Sequence, residues 1–173
     1  MGATLYTIGH GRRNSEDFLA LLKKYDIEYL IDVRSLPFSR FNPQYNQKAL
    51  KNSLHENGIH YVFMGDTLGG RPKDPSCYNE AGKIDYEILK TKDFFKEGIK
   101  RLKAAFEKDV KAALMCSETK PEECHRSKLI GVALSVENIA FSHIDETGDL
   151  KDQVMVMGKS GKGFSEADLF RDS

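Results

Sequence analysis

The chain lacks any excess of charge. Its 26 lysines and arginines offset 26 aspartates and glutamates, for a formal net charge of zero. Global electrostatics therefore point neither to nucleic acid nor to a membrane surface, although a local basic patch stays open. No apolar run approaches the ~20 residues of a membrane span, so no membrane partner is expected. The first residues, MGATLYTIGHGRR, lack the basic, apolar and small-residue regions of a secretory signal. Three cysteines, an odd number without framework spacing, argue against a disulfide scaffold and for reduced thiols in the cytoplasm. A phosphate loop of the G-x4-G-K-[ST] kind is missing. Lys159-Ser160-Gly161-Lys162-Gly163 looks similar but lacks the strand before it and the helix after it. No internal repeat is visible.

What is present suits one folded domain. The 173 residues are 40% hydrophobic and 30% charged, enough for a core and for solubility. Short β-rich runs alternate with helical patterns. Ala3 to Ile8 reads as a strand. A helix capped by Asn14 or Ser15 follows, with Phe18, Leu19, Leu22 and Tyr25 on one face. Tyr29 to Val33 is a nearly continuous apolar strand, as expected of one covered on both faces. After a loop with two prolines, Leu50 to Asn57 reads as a helix closed by Gly58, and Ile59 to Met64 as a third strand. Thr67 to Asp85 is irregular and long, which in a compact domain favours a functional loop. A helix or helix pair spans Tyr86 to Lys108, with Phe94, Phe95, Ile99, Leu102 and Phe106 on its buried side. Lys111 to Met115 is the fourth strand, Cys124 to Leu134 a helix, and Ile139 to Ile144 the fifth strand. The alternation predicts an α/β domain over residues 3–144, a mostly parallel open sheet of about five strands with helices on both faces. Residues 145–173 read as a polar, partly irregular extension, with a weak strand at Val154-Met155-Val156 and a short helix after Ser165.

Each predicted strand ends on chemically notable residues. The first gives His10, with Arg12 beyond it. The second gives Arg34, then Ser39 and Arg40 along its loop. The third leads to Gly69, Gly70 and Arg71. The fourth gives Cys116 and Glu118, then Cys124, His125 and Arg126 at the start of a helix. In a parallel sheet these ends share one edge, where ligands bind. Guanidiniums there would bind an anion and depress a thiol's pKa, and a thiolate is a nucleophile. Blander readings stand beside these. Cys116 and Cys124 can be packed core thiols, Cys77 an incidental one, and His10 and His125 ordinary hydrogen-bonders. Arg34 can pair locally, and Arg71 can be a solvated loop residue. A metal is a further alternative, through Cys116, Cys124 and His125 with His10 or Cys77. Structural zinc, however, usually shows ligand pairs at closer spacing.

Several ordered motifs resemble one family. They are Thr7-Ile8-Gly9-His10, Asp32-Val33-Arg34 with Pro37 and Ser39, Leu68-Gly69-Gly70, and Met115-Cys116-Ser117-Glu118 with Cys124-His125-Arg126. Over about residues 3–144 the chain is similar to the bacterial and archaeal DUF488 family, named only as a domain of unknown function. The resemblance implies a small α/β domain with a site built from these motifs. Gly11 stands where a Ser or Thr would be expected after the histidine. A looser likeness joins Ile31 to Arg34, Cys116 and Arg126-Ser127 to rhodanese-type domains and the related Cys-dependent phosphatases, although nine residues separate Cys116 from Arg126.

These observations give two functional expectations. In the first, the protein is a Cys-dependent hydrolase or group transferase acting on a phosphorylated or nucleotide-like anion. Cys116 is the nucleophile, His125 or His10 its base, and Glu118 an acid or orienting group. Arg34, Ser39, Arg40, Gly69, Gly70, Arg71, Cys124 and Arg126 shape the ligand site. In the second, the same pocket and the loop bearing Phe38, Phe41 and Tyr45 bind a nucleotide or nucleic acid without catalysis. Cofactor and oligomeric state are left open.

Overall fold

Strand β4, Ala112–Cys116, is buried at every position and divides the core in two. The computed structural model describes residues 5–159. Side chains alternate across a strand, so Ala112, Leu114 and Cys116 enter one apolar cluster while Ala113 and Met115 enter the other. Around it run β1 (Leu5–Gly9), β2 (Tyr29–Asp32), β3 (His60–Phe63), β5 (Phe141–Ile144) and β6 (Leu150–Lys151). The six-stranded sheet has the order β3-β2-β4-β1-β5-β6. The first five strands are parallel, and β6 pairs antiparallel with β5.

Helices cover both faces. Asn14 caps α1 (Ser15–Lys24) by accepting a bond from the Asp17 N–H at 2.8 Å. Such a cap is worth about 1 kcal/mol. Phe18 and Leu22 of α1 and Leu50 and Leu54 of α2 (Gln47–Glu56) pack on the Met115 face. The other face carries Leu68 of α3 (Gly65–Leu68), Leu89 of α4 (Tyr86–Leu89) and Phe95, Ile99 and Leu102 of α5 (Asp93–Glu107). Leu134 of α6 (Val132–Val136) completes it.

This layering positions the site. The connection leaving β2 runs toward β3 on the Met115 face, and that leaving β4 runs toward β5 on the opposite face. Adjacent strands whose connections diverge open a crevice at their carboxyl ends. Here the crevice lies between Asp32 and Met115, which are paired in register.

Several boundaries differ from the sequence expectation. The expected helix over Cys124 to Leu134 begins with a 3-10 turn, Pro121–Glu123, and continues as a π-helical turn, Arg126–Gly131, before α6. The long loop holds α3, a 3-10 turn at Pro75–Cys77 and an isolated bridge between Tyr78 and Ile84. Cys77 there is fully buried in the core. Val154-Met155-Val156 is not a strand; it lies in α7, Gln153–Lys159. Three apolar residues in a row fit either period. Asp152 decides by accepting a bond from the Met155 N–H at 2.8 Å, and Val156 is buried. The helix expected after Ser165 lies outside the described residues. Among the described residues, no helix is long and apolar enough to cross a membrane.

Candidate active site at the strand ends

Two buried arginines flank the crevice. Arg34, just past β2, is 5% exposed and forms a bidentate ion pair with Asp32, its Nε 2.9 Å from Oδ1 and its Nη2 2.8 Å from Oδ2. The spacing makes this local, because residues two apart on an extended chain share a side. The Asp32 carboxylate also accepts the Arg34 N–H at 3.1 Å and the Tyr61 hydroxyl at 2.7 Å. The remaining Arg34 nitrogen, Nη1, lies 3.3 Å from His10 Nε2. Guanidinium only donates, so Nε2 accepts and the ring proton sits on Nδ1, which donates to the Gly11 carbonyl at 2.9 Å. The ring stacks on Tyr45 with centroids 4.3 Å apart. Burial, with the Arg34 charge adding to it, pushes the His10 pKa down to about 4. His10 is thus a neutral brace behind Arg34.

Arg126 is fully buried, and among the described residues no carboxylate pairs with it. Its Nη1 donates to Thr7 Oγ1 at 3.0 Å and to the Ile144 carbonyl at 3.1 Å, and Nη2 to the Thr119 carbonyl at 2.6 Å. Its Nε has no partner among the described residues. Thr7 accepts from Arg126, so its hydroxyl proton points to His143 Nδ1 at 2.6 Å. His143 then donates from Nε2 to Gln153 Oε1 at 2.6 Å, and Gln153 donates to the Ser127 carbonyl at 2.8 Å. Burial pushes the His143 pKa down to about 4, and the Arg126 charge acts in the same direction. The chain holds Arg126 in place without neutralising it.

The thiols face this guanidinium. Cys116 ends β4 and Cys124 precedes the π-helical turn, both in the apolar cluster of that face. Burial disfavours a Cys116 thiolate. The neighbouring Cys124 thiol, the Arg126 charge and the Glu118 backbone outweigh that, so its pKa falls below the ordinary thiol value. Cys124 moves the opposite way, well above that value, because burial and the Cys116 sulfur both hold its proton. The Cys116 sulfur lies 3.3 Å from the Glu118 carbonyl, which a protonated Cys116 would bond. Glu118 thus meets the sulfur through its backbone. His125 Nε2 donates to the Val33 carbonyl at 3.1 Å, leaving Nδ1 as an acceptor 3.5 Å from the Cys124 sulfur. Burial drives the His125 pKa down to about 4.

Above the thiols opens a cleft of about 550 Å³. Cys116, Cys124, His125 and Arg34 line its floor side, and Ser35, Leu36, Phe38, Arg71, Tyr86 and Glu118 its walls. Ser35 Oγ accepts the Arg71 N–H at 2.8 Å and fixes that rim. Close approaches explain two glycines. A Cβ on Gly9 would sit 1.7 Å from the Glu118 carbonyl oxygen, and one on Gly70 3.0 Å from His125 Cγ. Gly69 packs against Ser35 and belongs to the same wall. A larger hollow, about 660 Å³, lies among α4, α5 and α6; lysines and apolar residues line it, with no cysteine or histidine.

The fold therefore brings together Cys116, Cys124, His125, Arg126, Arg34, Glu118, Gly70 and Arg71. His10 donates its backbone N–H to the Cys116 carbonyl at 3.0 Å, while its ring braces Arg34. Ser39 and Arg40 lie off the cleft: Ser39 Oγ accepts the Asn42 N–H at 3.2 Å, and Arg40 rests over Phe41. Among the described residues no three His, Cys, Asp or Glu side chains converge as metal ligands. Thr7, His143 and Gln153 were not singled out as site residues from sequence. His143 at the end of the fifth strand was the available signal.

The family model described as Domain of unknown function DUF488 matches residues 14–133, which carry both thiols, His125 and Arg126. No curated protein and no solved structure matches the chain.

Proposed function

The chain belongs to the DUF488 family, and from that premise we propose that it is a Cys-dependent group transferase or hydrolase acting on a small anionic substrate. One observation carries this reading: a buried cysteine lining the cleft feels the charge of a fully buried arginine that has no carboxylate partner among the described residues. An uncompensated buried cation is costly, and a thiolate beside it offsets that cost. Cys116 Sγ attacks the electrophilic centre of the substrate. A bond to sulfur forms, and the leaving group departs with its electron pair. Water or a second acceptor then displaces the sulfur and restores the thiolate. Arg71, exposed at the rim, meets the substrate's negative charge, because Arg34 is already spent on Asp32.

Alkylation by iodoacetamide, followed against pH and resolved by mass spectrometry, tests this. Cys116 is expected to react with a midpoint below the ordinary thiol value of 9.0, and faster than buried Cys77. A midpoint at or above that value would overturn the reading.

A second reading rests on apolar exposure beside the cleft: Leu36 is 71%, Phe38 56% and Phe41 85% exposed. Such side chains suit stacking on a nucleotide base or a single strand. Binding of an oligonucleotide that weakens steeply between roughly 50 and 200 mM salt would favour it.

A further inference from the structure

The Cys124 thiol is placed for more than hydrogen bonding. It lines the same cleft as Cys116, and the two thiols shift each other's titration in opposite directions. The other neighbour of Cys124 is the acceptor nitrogen of His125, held in that tautomer by the Val33 carbonyl. The 3-10 turn at Pro121–Glu123 lies in the loop between them and ends at Cys124, and both thiols line the one cleft. A nucleophile that only needed activation would be served by Arg126 and the Glu118 backbone. A second buried thiol with its own imidazole is not explained by that role.

We propose that Cys124 is a resolving thiol, and that the site exchanges thiols with small anionic disulfides through a Cys116–Cys124 bond. The proposal rests on the reading of Cys116 as the nucleophile. The Cys116 thiolate attacks one sulfur of R–S–S–R. A Cys116–S–S–R bond forms, and one R–S⁻ leaves with the bonding pair. Cys124 then gives its proton to His125 Nδ1 and attacks Cys116 Sγ. The Cys116–Cys124 bond forms, and the second R–S⁻ departs and takes the proton from the imidazolium. One disulfide is reduced to two thiols while the protein dithiol is oxidised. An external dithiol reductant returns it to the starting state.

The order of events follows from the coupling of the two groups. While Cys116 carries the negative charge, that charge helps hold the Cys124 proton. Once Cys116 is bonded to R the charge is gone. The Arg126 backbone N–H and guanidinium then favour ionisation of Cys124. Reaction at the first sulfur thus primes the second. Anionic disulfides are the class proposed: exposed Arg71 meets the anion, on a lining that also carries Glu118 and Glu123.

The test uses the full chain and 5,5′-dithiobis(2-nitrobenzoate), an anionic aromatic disulfide. Released thiolate is counted, and peptide mapping locates the protein bond. Wild type should release two equivalents of thiolate per protein and carry a Cys116–Cys124 disulfide. Cys124→Ser should release one equivalent and retain a stable adduct on Cys116. A wild-type reaction that stops at one equivalent, with the adduct left on Cys116, would overturn the resolving role and leave the nucleophile intact. Absence of reaction at Cys116 would overturn both. Because the wild-type result decides by itself, a variant that fails to fold does not blunt the test.

Discussion

The two buried arginines at the strand ends make opposite use of the same side chain. Arg34 meets a buried carboxylate two residues away, and its charge is matched. Arg126 meets a hydroxyl and two carbonyls, and among the described residues its charge is matched by no carboxylate. Neutral polar groups accept from its two Nη nitrogens, leave its Nε without a partner among the described residues, and leave its field intact. The first arrangement stiffens one wall of the crevice. The second leaves a positive charge that favours ionisation of the buried Cys116 thiol. The difference lies in the partners, and the sequence-level expectation of a cluster of anion-binding guanidiniums did not separate them.

Acid should break both sides at once and gives the largest effect. His10 beside Arg34, and His125 and His143 beside Arg126, are each held near a pKa of about 4, against an ordinary 6.5. The unfolded chain takes up protons first, so stability is full above pH 6.5 and falls as pH drops from 6.5 toward 4. Each histidine contributes on the order of 3 kcal/mol. Urea unfolding at successive pH values checks this, and a flat stability across that window would contradict the neutral tautomers assigned here.

Asp32→Asn separates the two arginines. It leaves Arg34 buried and unmatched, at a cost of about 3 to 5 kcal/mol. Cys116 alkylation in the folded fraction should change by less than about threefold, since the ion pair does not serve the sulfur. Urea unfolding and mass-resolved alkylation read the two quantities independently.

Arg126→Met is the reciprocal change and has the smallest expected effect on stability. It removes the buried charge itself but leaves the Thr7 hydroxyl and the Thr119 and Ile144 carbonyls without that donor, at about 1 to 3 kcal/mol. The alkylation rate of Cys116 at pH 7 should nevertheless fall by about tenfold, because the charge that favours its thiolate is gone. An unchanged rate would remove Arg126 as the source of activation and reduce the contrast between the two arginines to packing.

Much of the thiol side was legible in the chain. Cys116 follows an apolar strand, and Cys124-His125-Arg126 opens the next helical segment, so strand-end placement alone brought them to one edge. His10 reached the same edge, but its orientation depended on Arg34 and Tyr45, which come from other elements. Ser39 and Arg40 were read into the site because their loop leaves β2. Asn42 and Asn46 instead turn that loop on itself. The support behind Arg126 joins Thr7 to His143 across 136 positions and then to Gln153 in α7, a separation no local pattern reports.

The sequence by itself determined the alternation of strands and helices and the run that becomes β4. Each depends on spacing along a chain whose geometry is set by its covalent bonds. Only the tertiary structure decided which guanidinium stays uncompensated. Among the described residues, the lack of a carboxylate beside Arg126 is a property of everything packed around it, contributed by β1, β5, the Thr119 loop and α7. It exists only once those elements have excluded water and closed on one another.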